Sequence, residues 1–290
     1  MPGRTEHAKA FRPHHCAMVL LLLVLPTDGA RSAEPTALDV LFPYEWVGNI
    51  DKIKFREPSG IVYHPARRTL FVVSDEGELC EIHTDGRLVK HKRIRKGDFE
   101  GVTVDPATGR VYIAVEGEER ILEIDPDTFD VLREFTIERT FKGRTVLKSG
   151  GQGIEAITFV PDPNHAEGGT FFAANQSFSL TDAAEPSALF EIGVPLRTAS
   201  GPKAQAKILR MMPLPVIDLA GLHYDASRDR LYVVSDSHNA FLEVSRDGQL
   251  LAAYAFPGRA QEGITVDPDG FVYIAQDSGG IVKIRWRRKK

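Results

Sequence analysis

Three glutamates in this chain stand immediately before a small residue that opens an apolar run: Glu100 before Gly101, Glu155 before Ala156 and Glu262 before Gly263. After a turn, a second apolar run ends in an acid or amide, giving Asp75, Glu116, Gln176 beside Asn175, Asp236 and Asp277. Glu57 and Asp218 lie three residues before Gly60 and Gly221, in the two copies that lack the glutamate. Carboxylates gathered at one place repel one another, and loss of water raises their pKa values. A hard divalent cation relieves both effects, and Ca2+ takes about six to eight oxygen ligands at roughly 2.3–2.6 Å. The set holds no Cys and no paired His, which argues against zinc. Glu100, Glu155 and Glu262 are therefore the expected principal metal ligands, and Asn175, Asp236 and Asp277 the second choice. Glu57, Asp75, Glu116 and Asp218 are expected as further ligands or as groups lining the same opening. The competing reading is architectural, with these acids accepting hydrogen bonds from backbone amides of neighbouring units. Asp105, Asp225 and Asp267 are a contrast case, because each opens a turn at the far end of its run, where Asp caps the local backbone.

Two imidazoles accompany the acids. His223 falls two residues after Gly221, where the other copies have Val62, Thr103, Thr158 and Thr265, and His238 follows Asp236 in the loop SDSHNA. Either is a weak candidate for a general base beside a metal acting as Lewis acid; for His223 the packing role is the better reading. No G-x-S-x-G elbow, Walker loop or H-E-x-x-H occurs.

The elements that must carry these groups are repeated hairpins. DFEGVTVDPATGRVYIAVE from Asp98 returns as QEGITVDPDGFVYIAQD from Gln261 and in part as GIEAITFV from Gly153. PSGIVYHPARRTLFVVSD and LAGLHYDASRDRLYVVSD keep the glycine and the apolar pattern but lose the acid. With Gly60, Gly101, Ala156, Gly221 and Gly263 as register, the spacings are 41, 55, 65 and 42. The short spacings suit a four-stranded propeller blade of about 40–45 residues. In the second unit GVTVD, VYIAVE, ILEID and VLREFTI read as its strands, being short β-branched runs bounded by turn residues. The long spacings belong to the third unit, whose PDPNHAEGG and Ser177 to Gln205 segments read as loop insertions. The fifth unit shows only three strands, and the isolated strand near Tyr44 to Ile50 is expected to supply its fourth, closing the ring without free edges. The expected fold is all-β, a five-bladed β-propeller whose last blade is closed by the N-terminal strand, with six blades as the alternative. In such a hairpin the start of the first strand and the end of the second reach the same mouth of the central channel, so Glu100 and Glu116 should meet there.

Residues 1–33 read as a signal peptide or N-terminal anchor: Arg4, Lys9 and Arg12 precede the apolar run Cys16 to Leu25, and small residues follow. The run is shorter than the about 20 residues of a comfortable membrane span. Residues 34–290 form one propeller domain. Cys80 is the remaining cysteine after processing and cannot make an internal disulfide, so it reads as a small buried hydrophobe. Export without disulfides suits a periplasmic location, soluble or held by an uncleaved N-terminal segment. The formal charge of -4 gives no reason to expect nucleic acid, and the basic ending Arg285 to Lys290 reads as a solvated tail.

Taken in order, EPSGIVYHPARRTLFVVSDEGEL, DFEGVTVDP with GRVYIAVE, GIEAITF, LAGLHYD with RLYVVSDSHNAFLEV, and QEGITVDPDGFVYIAQDSGGIVKI resemble the SdiA-regulated family of bacterial exported proteins, which is similar to NHL-repeat propellers. The resemblance spans about Leu41 to Trp286 and implies a five-bladed propeller with a calcium site; it implies no enzymatic activity. Two functions follow as expectations. One is a calcium-stabilised binding or scaffold module of the cell envelope, contacting a small molecule or an envelope protein at the acidic mouth. The alternative is a calcium-dependent hydrolase of lactones or phosphoesters using the same site.

Overall fold

The structure, a computed structural model, describes residues 38, 40–148, 152–182 and 184–287. The described residues form 22 strands and no helix. After β1 (Tyr44–Asn49) come β2 (Pro58–His64), β3 (Thr69–Ser74), β4 (Glu78–His83) and β5 (Leu88–Arg93). The second unit is β6 (Asp98–Val104), β7 (Val111–Glu116), β8 (Arg120–Ile124) and β9 (Val131–Ile137), followed by a two-stranded hairpin of β10 (Thr140–Phe141) and β11 (Arg144–Thr145). The third is β12 (Ile154–Pro161), β13 (Gly169–Asn175), β14 (Ala188–Gly193) and β15 (Lys203–Pro213). The fourth is β16 (Leu219–Asp225), β17 (Arg230–Ser235), β18 (Ala240–Ser245) and β19 (Leu250–Ala255), and the chain ends with β20 (Gln261–Val266), β21 (Phe271–Gln276) and β22 (Gly280–Trp286).

Each unit is an antiparallel meander, β2-β3-β4-β5 and β16-β17-β18-β19 being separate sheets. The second and third units join edge to edge into one eight-stranded sheet, because Lys203–Ala206 of β15 pairs in parallel with Glu134–Ile137 of β9. The last sheet runs β1-β22-β21-β20, with Tyr44 opposite Trp286. The isolated N-terminal strand thus completes the last unit, as its sequence position leads one to expect. Just before β1, Phe42 is fully buried against Phe241, Phe256 and Trp286, with ring centroids 4.6, 5.1 and 4.9 Å away. This aromatic cluster packs the two chain ends against the fourth unit.

The first strands β2, β6, β12, β16 and β20 are innermost and touch in sequence, β20 returning to β2. Their register residues are small because backbones meet there. A Cβ on Gly101 would lie 2.5 Å from the Ile157 nitrogen, one on Gly221 would lie 2.8 Å from the Glu262 carbonyl, and one on Gly263 would lie 2.8 Å from the Ile61 nitrogen. Two residues further along, hydroxyls tie strand to strand. Thr103 Oγ1 accepts the Phe159 N–H at 2.9 Å, Thr158 Oγ1 that of Tyr224 at 3.1 Å, and Thr265 Oγ1 that of Tyr63 at 3.0 Å. Thr103→Val keeps the shape but leaves the Phe159 amide unsatisfied, so a urea melt should show a loss of about 1–3 kcal/mol.

Several expectations change at the edges. The segment from Ser177 to Gln205 is not all insertion: it contains β14, the third strand of its unit, whose ALFEI is a short apolar run set among Ser, Ala, Pro and Gly. Arg285 and Trp286 belong to β22, and Arg287 is ion-paired to Glu45, so the basic ending begins as strand; residues 288–290 lie outside the described residues. The segment 1–33 also lies outside them. Among the described residues no helix is long and apolar enough to cross a membrane. Cys80 is fully buried and unpaired, and burial pushes its thiol up to about 12, which fits a packing role.

Candidate metal centre

The acids converge because of a backbone irregularity repeated in every unit. The ladder between first and second strands slips at the register position, between Pro58 and Gly60, Phe99 and Val102, Ile154 and Ala156, Leu219 and Gly221, and Gln261 and Gly263. The skipped residues include Ser59, Glu100, Glu155, Ala220 and Glu262. A β-bulge leaves its extra residue unpaired and re-aims its side chain. The three register glutamates are therefore freed from the ladder at the start of the inner strand.

Ladder partners bring the second-strand ends to the same mouth, with Asp98 opposite Glu116, Pro58 opposite Ser74, and Gln261 opposite Gln276. Carboxylate oxygens of Asp98, Glu100 and Glu116 all lie within 4.8 Å of one another. Glu100 is hydrogen-bonded to Asp98, and Glu155 to Glu116. Burial, then the Asp98 hydrogen bond and charge, hold the Glu100 carboxyl well above its usual range. Burial and the charges of Glu100 and Glu116 do the same for Glu155. Glu262 is pushed up to about 8 by burial and then by Asp236, Asp218, Asp277 and Asp75. Asp75 is pushed up to about 6 by burial and then by Glu57, Asp98 and Asp277. Asp236 is raised by burial and Asp218, against the opposing pull of backbone hydrogen bonds. All the register glutamates and the acids of the first, second, fourth and fifth units thus share one electrostatic neighbourhood.

Between Glu100 and Glu262 the inner strands enclose a cavity of about 10 Å3, lined also by Gly60, Gly101, Ala156 and Gly263. That is about the room one water-sized species needs.

Some acids here also serve architecture. Glu116 Oε1 accepts the Gly153 N–H at 2.7 Å and Glu119 Oε2 that of Ile154 at 3.2 Å, so two carboxylates from the second unit hold the backbone that leads into Glu155. Asp218 Oδ2 accepts the Ser237 N–H at 3.0 Å, and Asp236 Oδ1 that of Gln261 at 3.1 Å. Asp75 Oδ1, in contrast, is buried without a hydrogen-bond partner. An orphaned buried carboxylate oxygen costs free energy unless something positive meets it, and an oxygen-only donor set is what a hard cation takes. The residues present fit Ca2+.

Asn175 stands opposite Ile154 at the end of β13, with both polar atoms of its side chain engaged by the following loop. It is fully buried, its Nδ2 donates to Pro186 O at 2.7 Å and its Oδ1 accepts the Ala188 N–H at 2.9 Å, clipping the loop before β14. His223 lies at the opposite mouth, lining a separate cavity, with Nδ1 3.3 Å from Thr265 Oγ1 and its ring stacked on Tyr232. His238 is exposed, and its Nδ1 meets Ser235 Oγ at 3.4 Å. The contrast acids cap turns: Asp105 accepts from Ala107 N and Thr108 Oγ1, Asp225 from Ser227 N and Tyr232 Oη, and Asp267 from Phe271 N and Tyr273 Oη.

Sequence reasoning missed Asp98 as a site residue, although a signal was present. It stands three residues before Gly101, the position that singled out Glu57 and Asp218. Glu119 was missed as well. It sits in the turn after β7 at φ +49°, fully buried, with its carboxyl pushed up to about 7 by burial against the pull of Arg139, 3.3 Å away. Gly153 has no side chain because a Cβ there would strike this carboxylate.

Meanders packed side by side around an axis, with a carboxylate cluster at one end, define a propeller-like all-β protein with a candidate cation site. The chain belongs to the SdiA-regulated family, whose profile matches residues 47–279. Among solved structures it is similar to Myxococcus xanthus glutaminyl cyclase, at 13% identity and a TM-score of 0.61, covering 85% of this chain and 97% of that one. It is also similar to the Myceliophteria thermophila Cps50 (Swd1) β-propeller domain, at 12% identity and a TM-score of 0.42, covering 78% and 64%. A Bacteroides caccae protein of unknown function matches at 14% identity and a TM-score of 0.45, covering 75% and 69%. At these identities the likeness concerns the fold alone. No curated protein matches the sequence.

Proposed function

We propose that this protein is an exported five-bladed propeller that binds Ca2+ at its acidic mouth and acts as a binding or scaffold module of the cell envelope. The count of five rests on the five inner strands that follow one another around the axis. The observation that carries the metal is the convergence of Asp98, Glu100 and Glu116 within 4.8 Å, beside Glu155 and Glu262 held above their usual range. Glu100, Glu116, Asp98 and Glu155 would hold the ion, with Glu262 and Asp75 completing the field from the other side of the axis. Bound there, Ca2+ neutralises the repulsion and ties together inner strands of different units, so its first effect is on stability. The ligand, a small molecule or an envelope protein, would meet the same face, which the loop carrying exposed Phe178 and Leu180 borders through the Asp218 N–H to Ser177 carbonyl contact.

Calorimetric titration of the full chain with Ca2+, after dialysis against chelator, tests this reading. Saturable binding is expected, and Glu100→Gln should weaken it by about tenfold or more, which is about 1.4 kcal/mol. Absence of heat together with an unchanged melting temperature at millimolar Ca2+ overturns the metal assignment. Ca2+-dependent turnover in a parallel lactone and aryl-ester panel would replace the scaffold role by a hydrolytic one.

A further inference from the structure

The mouth opposite the acids is not closed. It opens into a cavity of about 490 Å3 built from the far ends of all five inner strands, within the usual range of about 300–1,000 Å3 for small-molecule sites. Its rim comes from one position of the repeat, five residues after the register residue: Pro65, Pro106, Pro161 and Pro268, with Ala226 in the fourth unit. Four proline rings make this edge apolar and fix its backbone before any ligand arrives. The walls carry Tyr63, Phe159 and Tyr224, three residues after the register.

The floor belongs to the threonine belt, and the belt is broken in two units. Val62 replaces Thr in the first unit and His223 in the fourth, where the imidazole faces the cavity and touches Thr265 Oγ1 at 3.3 Å. The fourth unit therefore departs from the repeat twice, at His223 and at Ala226, and both departures face the same space. A ring that only had to close would not need either. Together they give an otherwise near-uniform funnel one imidazole beside the threonine hydroxyls of its floor and one wider gap in its rim.

Charge narrows the ligand class. No Lys or Arg lines the cavity among the described residues, so nothing there calls for an anion. The two lining carboxylates, Asp225 and Asp267, are occupied by backbone amides and by the Tyr232 and Tyr273 hydroxyls, at 2.7 and 2.8 Å for the latter two, which leaves little for a cation. Apolar walls with aromatic and proline faces and one imidazole suit a flat molecule of low charge.

We propose that this second mouth is a binding site for one uncharged aromatic small molecule, seated between the proline rim and the His223 floor. It lies at the other end of the axis from the acidic mouth and does not depend on the metal.

The uncharged dye N-phenyl-1-naphthylamine, titrated into the full chain and followed by its fluorescence, tests the proposal. One saturable site is expected, unchanged by Ca2+ or chelator. Ala226→Trp, on the exposed rim, should weaken binding by about tenfold or more without lowering the melting temperature, and Val266→Trp, on the wall, should weaken binding as much. Ala226→Trp guards against misfolding of the wall variant. Loss of dye binding only in a Phe178→Ser, Leu180→Ser double variant would place the dye on the exposed loop and overturn the proposal. So would retained affinity in a folded Ala226→Trp protein, or tighter binding of the anionic 8-anilinonaphthalene-1-sulfonate than of the neutral dye.

Discussion

Gly101→Ala should destabilise the fold by about 3 kcal/mol or more, as a shifted urea midpoint, while Gly201→Ala leaves that midpoint within about 0.5 kcal/mol. The two substitutions add the same methyl group. At Gly101 the new Cβ would lie 2.5 Å from the Ile157 nitrogen and 2.9 Å from the Ala156 carbonyl carbon, both backbone atoms of the neighbouring inner strand. Backbone in a closed ring cannot rotate aside as a side chain does, so the neighbouring strand must move and disturb the contacts on its far side. At Gly201 the nearest atom is 3.7 Å away, an ordinary contact. Neither glycine has a left-handed φ, so the difference is steric and owes nothing to backbone preference. A Gly263→Ala protein should behave like Gly101→Ala, because it faces Ile61 N and Ser59 O at 2.8 and 2.9 Å. An equal, small effect at Gly101 and Gly201 would mean that the inner strands are not packed backbone to backbone in solution.

The same glycines explain how much was legible in advance. A repeated small residue before an apolar run announces both the register and a close backbone approach, and local alternation then gives each strand. The fourth strand of the last unit was legible too, from the bare arithmetic of an unpaired N-terminal run and an incomplete C-terminal unit. Non-local pairing was not. The parallel ladder between β9 and β15 joins residues about seventy apart, and neither partner carries a pattern that names the other. β14 was hidden because a six-residue strand is short against the Ser, Pro and Gly content around it. At the site, oxygen donors were legible as types, and the hairpin geometry placed Glu100 with Glu116. The bulge was not legible, since it depends on register, yet it separates the re-aimed glutamates from ordinary ladder residues. What the Asn175 side chain bonds was not legible either, because an amide ending a strand looks the same whether it faces a channel or, as here, clips its own loop. His223 aligned correctly with the threonines, but its alignment could not say that this ring of residues faces the other mouth.

Without metal, the protein should lose stability as the pH rises from about 5 to 8, and Ca2+ should flatten that decline. The sign follows from the raised carboxyls. Glu262 titrates at about 8 in the fold, above its ordinary 4.5, and Asp75 at about 6, above 3.8; Glu100 and Glu155 lie well above their usual range. Between the ordinary and the raised values the folded chain binds more protons than the unfolded one, and stability then falls with increasing pH. The acids share a single neighbourhood, so their contributions overlap, and a total loss of roughly 1–4 kcal/mol is expected. His64 acts in the opposite sense, since burial lowers its pKa below 6.5 and costs stability as the pH falls through that range. Comparing the parent with Glu262→Gln cancels this term. At pH 8 in chelator the Glu262→Gln protein should melt higher than the parent, because it no longer buries that charge among Asp236, Asp218 and Asp277. In Ca2+ the order should narrow or reverse, because the parent regains from the ion what repulsion took from it. A metal-free melting temperature that climbs from pH 5 to 8 would show that the carboxylates are already neutralised within the fold, as pure hydrogen-bond acceptors would be, and would remove the reason for a cation at this mouth.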